Sequence, residues 1–510
     1  MNTDIIAGFL QSIGPPNLAA TAIGAVLGLI FGMIPGMTIS TGIIVLLPLT
    51  FVLDPNMSIA LLLGLYVSGM TGGSFSAILL NIPGTPSASA TALDGYPLTL
   101  KGEAGRALGI SISSSFVGGI VSFVCLFFIA PLLANVALSF RAADLFSLVF
   151  FGMTVICGFT SRSMVKGLLS ACIGLLIVTV GQDPVMGTAR FTFGNANLLA
   201  GIHFLTAMIG LFAIPQLVAN LRNETKESPR SAYSFGSVMP RIADLARIRI
   251  SAAIGSLCGT FLGILPGAGG PIAAFISYDY AKKLSPSGDK FGQGTIEGVS
   301  APESANNAVA GGALIPMMTL GIPGDAVTAI LIGALLVHGL APGPLLFLER
   351  ADFAYAVIFS YFWANIFNLA IALLAIRLLV RLLAAPKHLL LPSIALLCVV
   401  GSYSLRNSFF DVYIMFAFGL IGLSLRWLDM PVVPLLLALV LGPQLEEHLR
   451  VALTSSKGDV SVFFTSTYSA FFLAMSVVSV GWSIWFERYY RRPVQMKPDS
   501  TDPPKGAKGG

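Results

Sequence analysis

The sequence predicts an all-α polytopic membrane protein, and three observations carry that prediction. Of 510 residues only 10% are Asp, Glu, Lys or Arg, 55% are hydrophobic, and the mean hydropathy is +0.85. Soluble proteins carry about 25% charge, and a soluble chain this long would need it to cover its surface. The apolar runs are continuous, as in Ile59 to Tyr66 and Leu369 to Ile376, whereas barrel strands alternate. Gly and Pro number 54 and 30, well above their average joint usage of about 12%. These numbers exclude a soluble enzyme, a disordered chain and a nucleic-acid binder. They also imply helices that are repeatedly broken.

A spanning helix needs about 20 residues, and helix plus loop takes roughly 35, which allows about 12 to 15 segments. In order, candidate spans fall near 18–35, 39–53, 57–80, 107–138, 143–160, 166–181 and 199–219. A charged loop follows, then 250–265, 269–281, 304–321, 326–346, 353–384, 389–403, 411–426, 430–442 and 464–486. Several are too short to cross alone. The stretch 82–100 is polar and rich in turn residues, so at membrane depth it must be buried in protein or line a wet cavity. Cys125, Cys157, Cys172, Cys258 and Cys398 all lie in apolar stretches without CxxC spacing. They read as small buried hydrophobes, with no zinc site or disulfide framework.

The first hundred residues contain no Lys or Arg, whereas Arg222, Lys226, Arg230, Arg241, Arg247 and Arg249 crowd one central loop. Arg488, Arg491, Arg492, Lys497, Lys505 and Lys508 mark the tail. The positive-inside rule therefore puts loop and tail in the cytoplasm and the N-terminus outside. No basic region precedes Ile5 to Leu10, so no cleavable signal peptide is expected.

A repeat is visible. Ala22 to Gly36 and Ala253 to Gly267 share seven of fifteen residues at an offset of 231. Leu80 to Gly84 (LNIPG) and Leu320 to Gly324 (LGIPG) match at an offset of 240. One copy starts outside and the other at the cytoplasmic loop, which predicts inverted halves, the pattern of many secondary transporters. The expected organisation is 1–220 as the first inverted repeat, 221–249 as a cytoplasmic basic linker and 250–455 as the second repeat. A C-terminal transmembrane helix over 456–487 and a disordered cytoplasmic tail over 488–510 complete it.

Gly24, Gly28, Gly32 and Gly255, Gly259, Gly263 recur every four residues. Helix packing is the better reading for them than a site. Pro35-Gly36 and Pro266-Gly267 are expected to end a helix at membrane depth. Thr38, Ser40 and Thr41, or Gly269, Gly270 and Pro271, would start the next one. A restarted helix aims free N–H groups at the break, where an anion can bind, and the carbonyls left open can ligate a cation. Paired structural kinks are the competing reading. Asn81 to Ser87 and Gly321 to Asp325 look like hairpin tips or further breaks, with Thr85, Ser87, Ser89, Thr91 and Asp325 supplying hard oxygen ligands. Asp94, in Asp-Gly-Tyr-Pro, reads as an ordinary turn residue. Ser304, Asn306 and Asn307 are expected in the first turn of a helix, with Glu303 reading equally as its cap. Two adjacent amides entering an apolar run favour substrate or ion contact. His338, Arg106, Arg141 and Arg190 are isolated and read as snorkelling basics. No HExxH, GxSxG, Walker or GxGxxG motif organises an enzyme site.

Four long segments resemble the large membrane subunit of the tripartite tricarboxylate transporters. They are GMIPGMTISTGIIVLLPLTF (32–51), SAILLNIPGTPSASATALDGYPL (76–98), GILPGAGGPIAAFISY (263–278) and EGVSAPESANNAVAGGALIPMMTLGIPGD (297–325). The resemblance implies a bacterial inner-membrane permease for citrate-like tricarboxylates or other carboxylates. It would be driven by a cation gradient, usually sodium, and partnered by a small membrane subunit and a periplasmic solute-binding protein. No other cofactor is expected. The site residues rest on the physical reading alone. Gly36, Thr38, Ser40, Asn81, Thr85, Ser87, Gly267, Gly269, Ser304, Asn306 and Asn307 are expected to contact substrate. Pro35, Pro266, Gly84, Gly324 and Asp325 are expected to hold the cation. A passive channel or structural scaffold is the alternative, and an intramembrane enzyme a third.

Overall fold

The structure is a computed structural model, and it describes residues 2–34, 37–160, 163–183, 187–222, 238–382 and 387–490. It is all-α apart from two two-residue strands, Gly181–Gln182 and Ala189–Arg190, paired antiparallel. The first half holds α1 Asn2–Ser12, α2 Pro15–Met33, α3 Ile39–Thr50, α4 Pro55–Leu80, α5 Ala88–Leu100, α6 Ala104–Ala137, α7 Ala142–Thr160, α8 Met164–Val178 and α9 Phe204–Arg222. The second holds α10 Ile242–Ile264, α11 Gly269–Leu284, α12 Ile296–Leu320, α13 Ala326–Val337, α14 Pro344–Glu349, α15 Ala351–Leu382, α16 Lys387–Ser404, α17 Phe409–Trp427 and α18 Val432–Ser455. The short α19 Val462–Thr465 and the long α20 Thr467–Tyr490 close the described chain. Among the described residues eight helices are long and apolar enough to cross a membrane: α2, α4, α6, α10, α15, α17, α18 and α20. Others, α3 and α13 among them, are apolar but short. The chain is thus a multi-pass membrane protein with interrupted helices.

Two helices form the centre. Every residue of α4 from Ser58 to Leu79 is buried, and so is every residue of α12 from Ile296 to Thr319. A helix enclosed on all sides shows no amphipathic stripe, and because its surroundings are protein it can carry polar residues that lipid would reject. The glycine ladders build this centre. A Cβ placed on Gly24, Gly28 or Gly32 of α2 would lie 2.0–2.4 Å from the carbonyl oxygens of Leu61, Leu65 and Gly69 on α4. On Gly255, Gly259 and Gly263 of α10 it would lie 2.2–2.6 Å from those of Ala301, Ala305 and Val309 on α12. The second set of partners sits 240 residues after the first, so the repeat extends from sequence into packing. The expected packing role of the ladders is met in both halves.

The halves also cross. The long α6 lies along α12, and α15, its counterpart in chain order, lies along α4. Side chains reinforce the exchange: Arg106 of α6 pairs with Asp244 of α10 at 2.6 Å.

Four expectations change. The helix expected at 304–321 begins at Ile296, where the Thr295 hydroxyl caps it by accepting from the Gly298 N–H at 3.2 Å. Glu303, Ser304, Asn306 and Asn307 therefore sit in mid-helix, and Glu303 is no cap. Residues 88–100, read as turn-rich, form α5. Asp94 lies inside it, fully buried, because its carboxylate binds the α11–α12 connection. Arg106 and Arg190 are ion-paired, the latter to Glu446 at 2.8 Å. The ends of the expected linker are helical, since α9 runs to Arg222 and α10 starts at Ile242. Residues 223–237 and 491–510, with most of the basic loop and tail, lie outside the described residues.

Candidate functional site

Both expected breaks position a new helix start. α2 ends at Met33 and α3 begins at Ile39. The Thr38 hydroxyl caps α3, accepting from the Thr41 N–H at 3.2 Å. Pro35 and Gly36 lie outside the described residues. In the second half α10 ends at Ile264, the chain turns through Gly267 at φ +81° and Gly269 at φ +64°, and α11 begins. The IPG segments make two more starts. Asn81 (φ 55°) and Gly321 (φ 69°) end α4 and α12 in the left-handed conformation. A short turn follows each, and then α5 or α13. Asp325 caps α13, its Oδ1 accepting from the Thr328 N–H at 2.8 Å.

These four helix starts meet at one cavity of about 530 Å³, within the roughly 300–1,000 Å³ of small-molecule sites. Thr38, Ser40 and Thr41 come from α3, Thr85 and Ser87 from the start of α5, Gly267, Gly269 and Gly270 from the start of α11, and Asp325 from that of α13. Three of the four ends start on uncharged residues, so their dipoles present positive potential to the cavity, although the N–H groups of Ala88, Ser89 and Ala90 are already bonded to the carbonyls of Thr85, Pro86 and Ser87. The far wall adds a full charge. Arg426 of α17 lines the cavity, its Nη1 donating to the Pro215 carbonyl at 3.1 Å and its Nη2 to Gln216 Oε1 at 3.2 Å. Among the described residues it has no acidic ion-pair partner. A cavity ringed by helix N-termini, hydroxyls and a guanidinium whose charge no acidic side chain balances suits a small carboxylate anion.

The expected site residues divide. Thr38, Ser40, Thr85, Ser87, Gly267, Gly269 and Asp325 line the cavity together. Asn306 lies just behind the wall. Its Nδ2 donates to the Met70 carbonyl at 3.2 Å, but its buried Oδ1 has no partner among the described residues. A Cβ built on Gly270 would lie 2.9 Å from that oxygen and 3.3 Å from Ser87 Oγ. Asn307 is engaged elsewhere, with Thr71, which also receives the Asn368 amide at 2.8 Å. Ser304 bonds back to the carbonyls of Ser300 and Ala301 and packs against Gly118 and Gly255. Asn81 is exposed at the end of α4 and does not line the cavity. Gly84 and Gly324 are packing glycines, set against Gly32 and Gly263. The Gly324 carbonyl already accepts from the Gly267 N–H at 2.8 Å. Pro266 is buried in the turn between α10 and α11.

The cavity also repeats across the halves. Tyr66 and Asn306 are equivalent at the offset of 240, as are Thr85 and Asp325. Tyr66 OH donates to Asp325 Oδ2 at 2.5 Å, while Asn306 Oδ1 and Ser87 Oγ both lie close to Gly270. Tyr66 of α4 thus reaches the helix start of the opposite half. Sequence reading passed over Arg426, at the end of a span where a basic residue is ordinary, and Tyr66, inside an apolar run. The offset that aligns Asp325 with Thr85 was the available signal for Tyr66.

The model of the tripartite tricarboxylate transporter TctA family matches residues 18–437. The chain belongs to that family. An "uncharacterized 52.8 kDa protein in TAR-I ttuC′ 3′region" of Agrobacterium vitis is 38% identical over 478 residues, 94% of this chain and 95% of the relative. An "uncharacterized protein in TAR-II ttuC′ 3′region" of the same organism is 41% identical over 222 residues, 44% of this chain and 92% of the relative. No solved structure matches. As a TctA-family protein, the chain is a membrane component of a tripartite transport system, and its family is one of transporters rather than enzymes.

Proposed function

We propose that this TctA-family protein is the permease that carries tricarboxylates or related organic carboxylates across the bacterial inner membrane. It works by alternating access, coupled to a cation gradient, with sodium as the cation. A small membrane subunit and a periplasmic solute-binding protein complete the system. The N-terminus faces the periplasm and the basic tail the cytoplasm, which makes the two repeats inverted in the membrane.

The observation that carries the reading is the cavity. Its helix starts come in equivalent pairs from the two halves, and it offers an anion three neutral-capped N-termini and Arg426. Carboxylate groups are what such donors bind best, bidentately at a guanidinium. Asp325 and its Tyr66 partner are the acidic pole of the same space, able to answer to a cation.

The test is uptake of labelled citrate and related carboxylates into proteoliposomes holding both membrane subunits, with the binding protein outside. Accumulation against a gradient is expected, driven by imposed sodium. Arg426→Ala should abolish it and Arg426→Lys should retain a fraction, while membrane insertion is unchanged. Equilibration without accumulation would make the protein a passive channel, and full uptake by Arg426→Ala would remove the anion site from this cavity.

A further inference from the structure

A buried carboxylate in the middle of a central helix lies outside the cavity. Glu303, in the middle of α12, is wholly inaccessible to solvent. Its Oε1 accepts from Thr91 at 2.5 Å, and its Oε2 from Ser111 at 3.2 Å and Ser115 at 3.1 Å. Ser74 joins through Ser111 at 2.7 Å. Among the described residues no Lys, Arg or His pairs with it. An ionised carboxylate is costly to bury without a balancing positive charge.

The duplicated scaffold shows that the fold does not require this group. At the offset of 240, Glu303 corresponds to Leu63 and Thr91 to Leu331, both buried in the apolar core. The mirrored positions on α4 and α13 thus hold two buried leucines. At the mirrored positions neither Glu303 nor Thr91 has a polar counterpart.

We propose that Glu303 with the hydroxyls of Thr91, Ser111, Ser115 and Ser74 binds a dehydrated monovalent cation of sodium's size. Carboxylate and hydroxyl oxygens are hard ligands, and each hydroxyl can rotate to turn a lone pair toward the ion. One carboxylate balances one positive charge. Among the described residues no cluster of three or more His, Cys, Asp or Glu side chains offers a higher-charge site. The cage lies one helical turn from the cavity, since Thr91 follows Ser87 by four residues on α5 and Glu303 precedes Asn306 by three on α12. Such pairs share a helix face about 5–6 Å apart. An ion held here tightens α5 against α12, the helices that carry Ser87 and Asn306 to the cavity. Its role as the coupling ion rests on the transporter reading; its binding does not.

The test uses the purified full-length protein in lipid nanodiscs, with thermal unfolding followed as NaCl replaces choline chloride at constant ionic strength and pH. The Tm should rise saturably with sodium. Glu303→Gln should remove the rise, and Arg426→Ala should keep it. Thr91→Val and Ser115→Ala should each raise the half-saturating sodium concentration about tenfold, the loss of one ligand. A wild-type Tm indifferent to sodium would overturn the proposal. So would a sodium response surviving in Glu303→Gln, or, in a parallel series at varied pH, a Tm that follows pH and not sodium, which would make the group a proton site. If Glu303→Gln does not fold, unchanged midpoints in Thr91→Val and Ser115→Ala overturn it alone. The measurement needs no carboxylate and no partner. Failure here leaves the transport reading standing, and failed carboxylate uptake beside an intact sodium response overturns only that reading.

Discussion

Asp94 shows how a single side chain is misread when only its neighbours in sequence are known. Asp-Gly-Tyr-Pro has turn composition, yet the residue sits inside α5 with its carboxylate fully used. It accepts from Tyr278 OH at 2.8 Å and from the backbone N–H groups of Gly292, Gly294 and Thr295 at 2.9, 2.8 and 2.7 Å. The three backbone donors lie in the connection that leads into α12. Asp94→Asn keeps the shape but replaces one acceptor by a donor facing N–H groups. It should cost about 1–3 kcal/mol, read as a lower Tm in detergent, whereas Asp289→Asn on the exposed loop should leave the Tm unchanged. Equal melting of both variants would mean the bonds at Asp94 do not hold the connection. Arg426 was likewise illegible: its sequence context is that of any basic residue closing a span, and only the fold turns it into the cavity.

At the scale of elements the sequence was more informative, because helix breaks and close helix contacts depend on Gly and Pro at short range. The ladder at Gly24, Gly28 and Gly32 marks the face of α2 that meets α4, and its copy marks the face of α10 that meets α12. Gly28→Ala places a methyl 2.4 Å from the Leu65 carbonyl oxygen, so α2 must move off α4. The expected loss is about 1–3 kcal/mol or more, measured by thermal unfolding or by yield of folded protein. Gly481→Ala on α20, where nothing lies within 4 Å, should behave as wild type. A Gly28→Ala protein as stable as wild type would contradict the contact. The extent of α5 and α12 was harder to read. Hydroxyls, amides and Pro302 resemble a loop when lipid is the assumed surrounding, but α12 is enclosed in protein and α5 mostly so, and side-chain partners there satisfy the polar groups.

The whole molecule interlocks its halves, with α6 along α12, α15 along α4, and the cavity walls drawn from both. Under the proposed alternating access, a substrate bound between equivalent helix starts would be handed from one side to the other by moving one set of elements against the other. In a background lacking the five native cysteines, Ser40→Cys in the cavity wall should label with a membrane-impermeant maleimide. Saturating citrate should slow that labelling several-fold, and an uncharged sugar should not. Labelling from both faces at once, indifferent to citrate, would describe an open pore.

The sequence by itself determined that the chain lives in a membrane, that it is duplicated, and where its helices break. Each of these follows from local properties: apolar length against bilayer thickness, and Gly and Pro where a backbone must bend or touch another. Its Gly and Pro surplus falls in part at those breaks, and seven of the expected site residues do line one cavity. Only the tertiary structure decided that four helix starts share that cavity with Arg426, and that Glu303 sits in a hydroxyl cage where its repeat partner is a leucine. Those facts join residues up to about 390 positions apart, and such proximity is set by how buried helices pack, which no short stretch of sequence encodes.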